Sequence, residues 1–324
     1  MKRRTVVAGG ALFCLSATAL RRAVAQSSAR PYRVGILGNE EGRPWAAFRQ
    51  ALQSHGYVEG RSVVFEARWS EGVLDRLPAL ARELVDRKVD VIVVSGSFAA
   101  QAAQAATRTT PIVMAVSSRP ETAGLVQSVA HPGGNVTGLS NSPGYLQGKR
   151  LELLRELATV ARVVWLSNPL NPGEVEQTIF IAEIAARAGV MYRTIEIRSP
   201  ADVASAFATA REFRADALMV AGNHTTFRAR QDIAQFARAN RMLTIFEERT
   251  FVDAGGLMSY GPNFDAMFRR AAHYVDRIFK GANPAELPIE QPTTFELAIN
   301  LETARAIGHT IPAAMLLRAD YLIK

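Results

Sequence analysis

From Tyr32 onward the chain repeats one pattern: a short, apolar, β-branched run, a turn, then a helical stretch of about 10–15 residues. This alternation is the grammar of βαβ units around a parallel sheet, and it excludes all-β and all-helical architectures. Strands are predicted at Tyr32–Leu37, Ser62–Trp69, Val89–Ser95 and Pro111–Val116, with helices near Pro44–His55, Asp75–Arg87 and Phe98–Thr107. Runs such as Val91-Ile92-Val93-Val94 are apolar at every position, as expected of strands covered on both faces.

The pattern then starts again. After a predicted helix at Leu146–Ala158 come strands at Arg162–Ser167, Met191–Ile197, Ala217–Ala221 and Met242–Phe246, with a helix at Thr225–Arg238. Val34-Gly35-Ile36-Leu37-Gly38-Asn39 answers to Val163-Val164-Trp165-Leu166-Ser167-Asn168, 129 residues on. Asp90 to Ser97 answers to Asp216 to Asn223 at an offset of 126, and Gly133 to Asn141 to Gly255 to Asn263 at 122. Near-constant offsets predict two lobes of like topology, and 324 residues suffice for two domains of ordinary size. Gly133-Gly134-Asn135 and Gly255-Gly256 each precede a short β-prone segment, and Pro288 and Pro292 keep a third passage, Pro288–Thr294, from being helical. Three strand-like passages between two lobes read as a hinge.

The N-terminus reads as an export address. Lys2, Arg3 and Arg4 precede a largely apolar stretch from Val6 to Leu20, and Ala23-Val24-Ala25 has the form of a cleavage site. Arg3-Arg4 leaves the general and twin-arginine routes both open. Residues 1–25 carry five of the 38 basic residues and no acid, so their removal leaves 33 basic against 30 acidic, a net +3. That balance, without a basic run, gives no nucleic-acid footprint. Cys14, the single cysteine, falls inside the export segment, so the mature chain is expected to have no thiol chemistry.

Catalytic constellations are not found. Gly35, Gly38 and Gly42 do not fit the dinucleotide-binding glycine pattern, the five histidines are scattered, and Val94-Ser95-Gly96-Ser97-Phe98 is not a hydrolase elbow. No cofactor and no metal are therefore expected. What collects at the predicted carboxyl ends of the strands is polar: Asn39-Glu40-Glu41, Ser95-Gly96-Ser97, Ser117-Ser118-Arg119, Asn168, Asn223-His224 and Glu247. Open α/β sheets bind ligands at those ends. Arg119 is placed to pair with a ligand carboxylate, and Trp45 and Tyr260 to sandwich an aromatic one. Ser97 and Asn223 also suit helix N-caps.

Three stretches resemble a known family: His131-Pro132-Gly133-Gly134-Asn135-Val136-Thr137-Gly138-Leu139, Gly255 to Asn263, and Leu287 to Leu301. Together they are similar to the ABC transporter substrate-binding proteins of the tryptophan- and tyrosine-binding type. The resemblance implies a type I periplasmic-binding-protein fold: α/β, two Rossmann-like lobes joined by a three-crossover hinge, residues 26–140 plus about 264–290 forming one lobe and 141–263 plus about 291–324 the other. It implies a periplasmic, monomeric receptor for a small organic solute, an amino acid or a carboxylate or aromatic acid, partnered by a membrane permease and its ATPase and touching the membrane only through the permease. By position it places Ser95, Gly96, Ser97, Ser117, Asn141, Asn168, Asn223, Glu247 and Tyr260 on the solute, beside Asn39 and Arg119 read from the strand ends. One departure stands out: Arg119-Pro120 replaces the family's usual Asp-Pro and reverses a charge near the cleft. A sensor of the same fold and a secreted α/β enzyme are the rival readings.

Overall fold

The computed structural model describes residues 30–141 and 146–324; the export segment expected at residues 1–25, with Cys14, lies outside them. The first half runs β1 (Tyr32–Gly38), α1 (Arg43–Ser54), β2 (Val63–Trp69), α2 (Leu77–Asp86), β3 (Val91–Ser95), α3 (Ser97–Ala106), β4 (Ile112–Val116) and β5 (Val136–Gly138). These strands form one sheet in the order β2-β1-β3-β4-β5, parallel throughout.

The second half begins with α4 (Leu146–Leu157), β6 (Arg162–Ser167), α5 (Pro172–Arg187), β7 (Met191–Glu196), α6 (Val203–Glu212) and β8 (Ala217–Val220). It continues through α7 (His224–Arg228), α8 (Arg230–Ala239), β9 (Leu243–Phe246), α9 (Arg249–Asp253), β10 (Met258–Pro262) and α10 (Phe264–Phe279). Last come β11 (Phe295–Asn300), α11 (Leu301–Ala306), α12 (Ala313–Leu316) and β12 (Tyr321–Ile323). The second sheet is ordered β12-β11-β10-β9-β8-β6-β7. Within it β7-β6-β8-β9-β10 repeats β2-β1-β3-β4-β5 strand for strand, which is the duplication that the sequence offsets pointed to. Only β11 runs antiparallel to its neighbour β10.

Burial explains the strand compositions. Central β3 has Val91, Ile92, Val93 and Val94 all at 0 % exposure, because helices cover both sheet faces. Edge strand β7 alternates exposed and covered residues instead. Each sheet carries a separate apolar cluster on each face. One of these is built in part by α10, whose Met267, Phe268, Ala271, Ala272 and Val275 recur at helical spacing and pack with Val34, Ile36, Phe48 and Leu52 of the first half. So α10 returns to the first sheet, whereas β11 and β12 extend the second.

The predicted helix Thr225–Arg238 is two helices. Asn223 caps α7 by accepting from the amides of Thr225 and Thr226, and at Ala229 (φ −83°, ψ 7°) the chain steps out of the helix before α8. A β-period and a helix period are legible in sequence; a one-residue break between two amphipathic turns is not.

Three passages connect the halves: from β5 toward α4, from β10 into α10, and through Pro288–Thr294 into β11. The first and third pair directly, Ser140 donating to the Glu290 carbonyl (2.9 Å) and Glu290 to that of Gly138 (3.0 Å). The second and third pair as β10 and β11, with Asn263 Nδ2 donating to Glu296 (3.0 Å). The glycine pairs sit one strand earlier, where Gly133 (φ +73°) and Gly255 (φ +103°) turn the chain toward β5 and β10.

Gly138, where the first passage leaves its sheet, has φ +124°, and a Cβ there would lie 2.6 Å from the Met114 amide nitrogen. Gly138→Ala is expected to destabilise the fold by about 2 kcal/mol or more. Gly134→Ala, with open space around the added carbon, is expected to change stability by less than about 1 kcal/mol. Urea unfolding of both variants measures the difference.

Candidate functional site

The carboxyl ends of the strands of both sheets face one cavity of about 190 Å³. From the first half come the β1–α1 loop (Asn39 to Trp45), the β3–α3 turn (Ser95 to Phe98), the end of β4 (Val116 to Ser118) and Asn141. The second half supplies Asn171 before α5, the β8–α7 turn (Gly222 to His224) with Phe227, and Glu248, Thr250 and Asp253 around α9. Phe264 and Phe268 of α10 complete the wall.

Ser97, Ser117 and Ser118 form a hydroxyl and amide cluster. The Ser97 and Ser117 hydroxyls lie 3.2 Å apart, and Ser97 Oγ also bonds the Ser118 carbonyl (3.1 Å) and amide (3.0 Å). The N-cap of α3 is Gly96 (φ +96°), not Ser97, and no side chain caps that helix. Ser97 and Phe98 of its first turn line the cavity beside Ser117 and Ser118, and the uncapped N-terminal amides of a helix are suited to an anion. Asn223 has no such freedom: its carbonyl oxygen holds the α7 amides and its Nδ2 donates to Glu174 (2.9 Å).

Glu174 is 3 % exposed and is the hub under the second-lobe wall. It accepts from the Asn168 amide (2.7 Å), Asn171 Nδ2 (2.8 Å) and Asn223 Nδ2. Burial pushes its carboxyl up to about 8 against the pull of those three donors.

A second buried network lies beside it. Arg150, on α4, pairs with Glu247 (3.0 Å) and donates through Nε to the Tyr260 carbonyl (2.8 Å). Glu247 also accepts from the Gly222 amide (3.1 Å) and Gln147 (3.3 Å). The pair is nearly inaccessible, at 4 % and 9 % side-chain exposure.

Of the residues expected on the solute, Asn39, Ser95, Gly96, Ser97, Ser117, Asn141 and Asn223 line the cavity; Arg119, Asn168, Glu247 and Tyr260 do not. Arg119 pairs with Glu176 of α5. Asn168 is fully buried, accepting from Leu170 and donating to Glu174. Glu247 is turned into its ion pair, and Tyr260 packs beside Phe295 with ring centroids 6.2 Å apart. The aromatic wall is instead Trp45, Phe98, Phe227, Phe264 and Phe268.

The polar residue that sequence reasoning missed is Glu248. Successive side chains at a strand end face opposite ways, so of Glu247-Glu248 one enters the buried network and the other meets the cavity. The Glu248 carboxyl has no hydrogen bond or ion pair among the described residues, although its backbone carbonyl accepts from the Phe251 amide at 3.4 Å. The other acidic residues of the wall are paired: Glu40 with Arg230, Glu41 with Arg49, Asp253 with Arg249. The wall's Arg43 is paired with Asp265. Loss of water pushes the Glu248 carboxyl up to about 8; the Glu247 charge adds to this, and Arg230 and Arg43 oppose it. His224, also on the wall, is held neutral by burial, its pKa lowered to about 4, and its Nε2 has no hydrogen-bond partner among the described residues. Among the described residues the Asn141 Oδ1 also has no hydrogen-bond partner.

A cavity at the strand ends of two Rossmann-like lobes joined by three crossovers is the arrangement of the type I periplasmic-binding-protein fold. The ABC transporter substrate binding protein model matches residues 44–323, and the chain belongs to that family, whose members bind substrates and are not enzymes. It is 26 % identical over 264 residues to a tyrosine-binding protein of Clostridioides difficile, covering 80 % of this chain and 75 % of the relative. A conserved domain protein of Vibrio cholerae superposes with a TM-score of 0.83 at 28 % identity, covering 90 % of this chain and all of that one. A Streptococcus pneumoniae domain crystallised with L-Trp superposes at 0.82 with 24 % identity, covering 91 % of this chain and all of that one. Among the described residues no helix is long and apolar enough to cross a membrane.

Replacing Arg150 by Met strands the Glu247 charge in the interior. Arg150→Met is expected to cost about 3–5 kcal/mol, the usual penalty for half of a buried pair. Chemical denaturation with both secondary- and tertiary-structure probes measures it.

Proposed function

We propose that this protein is the exported solute receptor of an ABC-type importer, that it closes its two lobes on an aromatic amino acid, and that it delivers the solute to a membrane permease driven by an ATPase. In this reading the lobes are residues 26–140 with about 264–290, and 141–263 with about 291–324, and the three crossovers are the hinge. The packing of α10 on the first sheet and of β11 and β12 on the second supports that division. The apolar, acid-free stretch behind Lys2-Arg3-Arg4 supports periplasmic export.

The observation that carries the solute reading is the unpaired Glu248 carboxyl in a wall whose other charges are paired. A zwitterion matches the cavity at three points. Its carboxylate meets the first-turn amides of α3 with Ser97 and Ser117. Its ammonium takes Glu248 as counter-ion, and its ring lies among Phe227, Phe264, Phe268 and Trp45. The relatives that bind tyrosine and L-Trp support the aromatic side chain. Arg119 is engaged with Glu176 and does not line the cavity, so the reversed charge at that position stays off the solute.

The protonation of Glu248 sets a pH dependence. Its carboxyl, pushed up to about 8 in the empty cavity, is protonated and neutral at pH 6. An ammonium favours the charged form, so binding lowers that pKa and releases a proton below pH 8. L-Tyrosine affinity is therefore expected to rise from pH 6 to pH 8, with proton release seen by calorimetry in two buffers of different ionisation enthalpy. Glu248→Gln is expected to abolish the release and weaken binding about ten- to a hundred-fold, the value of a charged hydrogen bond. Unchanged affinity and proton balance in that variant would remove Glu248 from the site.

A further inference from the structure

Three arginines reach from one lobe to the other at the mouth of the cleft, and none of them lines the cavity. On one flank Arg119, just after β4, pairs with Glu176 on α5. On the other, Arg230 at the start of α8 pairs with Glu40 of the β1–α1 loop at 2.7 Å, and Arg228 at the end of α7 donates to the Glu71 carbonyl. Between the flanks the lobes touch closely, a Cβ on Gly96 falling 2.7 Å from His224 Cε1. Every one of these contacts joins an element of the first sheet to one of the second, so each requires the cleft to be shut.

Two further features tie these pairs to the cavity. Arg119 has φ +48°, a left-handed conformation uncommon outside glycine. Lys88, Arg214 and Arg241 share it, but they follow the ends of α2, α6 and α8, where such residues terminate helices, and Glu71 (φ +53°) shares it in the turn after β2, where its carbonyl accepts from Arg228. Arg119 terminates no helix; it follows a strand, and its side chain spans to the other lobe. On the opposite flank Arg230 lies over the Phe227 ring at 4.4 Å and donates to the Phe227 carbonyl at 2.7 Å. Phe227 faces the cavity, so its packing and the position of Arg230 are joined.

We propose that Arg119–Glu176 and Arg230–Glu40 form a closure latch that determines how tightly the receptor holds its solute by favouring the shut cleft, with Arg119, Glu176 and Arg230 outside the cavity lining. The proposal rests on the hinge-closing reading above. A ligand's apparent affinity scales with the fraction of protein able to adopt the binding conformation, and ion pairs present only in the closed form raise that fraction. Both pairs are partly exposed, so each contributes about a two- to five-fold effect, and salt screens it. A zwitterion of zero net charge does not by itself bring such salt dependence to binding.

The test is a charge swap followed by calorimetric titration with L-tyrosine at 50 and 500 mM NaCl. Wild-type affinity is expected to fall about two- to five-fold at the higher salt. Arg119→Glu and Glu176→Arg, each placing like charges in contact, are expected to weaken binding about ten-fold at low salt, and R119E/E176R to return to within about two-fold of wild type. A single reversal that leaves affinity unchanged, or a double variant no better than the singles, overturns the latch. Should a reversal lower the ligand-free melting temperature, the milder Arg119→Gln and Glu176→Gln cycle replaces it: non-additive losses support the pair and additive losses overturn it. Solution scattering separates the latch from hinge closure. Wild type that fails to compact with L-tyrosine overturns hinge closure itself. Ligand-free protein that is more expanded in each reversal, and restored in the swap, reports the latch without any solute.

Discussion

The architecture of the site turns on one buried ion pair. Arg150 stands on the helix that follows the first crossover, and its partner Glu247 ends the strand beside the β8–α7 turn. The same guanidinium holds the carbonyl of Tyr260, on the strand that leads into the second crossover, and the same carboxylate holds the Gly222 amide. Two charges taken out of water are tolerable only when the remaining donors and acceptors are met, and here they are met by the segments that must converge for the second lobe to present its half of the cavity. The pair also decides what the cavity lacks and what it keeps. By absorbing Arg150 and Glu247 into the interior it leaves Glu248 as the wall carboxyl without an ion pair among the described residues.

Around that anchor the two halves are the same topological solution used twice, with one exchange at the end. Helix α10 crosses back to cover the first sheet, and the last two strands extend the second. The exchange has a functional consequence. Phe264 and Phe268 reach the cavity from a helix whose apolar stripe is buried in the first lobe's core, so part of the aromatic wall is fixed to that lobe. Phe227 and Glu248 come from the second lobe. A solute bound among them bridges two bodies whose connections are strand pairs rather than a packed core, which is the condition for binding to couple to closure.

Much of the fold was legible in the sequence because its signals are local. Continuous apolar runs at Val91–Val94, turn chemistry at Gly133 and Gly255, and the recurring offsets between halves each need only a short window. The strand-end rule likewise singled out ten of the cavity residues, from Asn39 to His224, because in an open sheet those ends converge whatever the loops do, whereas Asn141 came only from the family resemblance. The remainder needed the third dimension. Whether Glu247 or Glu248 faces the cavity depends on strand phase at the last residue. The role of Arg119 depends on Glu176, 57 residues away on the other lobe. Phe264 and Phe268 belong by sequence to the segment after the second crossover, and nothing local shows that this helix folds back.

In the proposed complex an aromatic amino acid lies between the lobes with its ammonium on Glu248. A crystal structure of the protein grown with L-tyrosine tests it most directly. The prediction is a ligand amine within hydrogen-bond distance of the Glu248 carboxylate, its carboxylate on the first-turn amides of α3, and its ring against Phe227 and Phe268. A tyrosine bound with its amine directed away from Glu248, or seated outside the interlobe cavity, would contradict the claim.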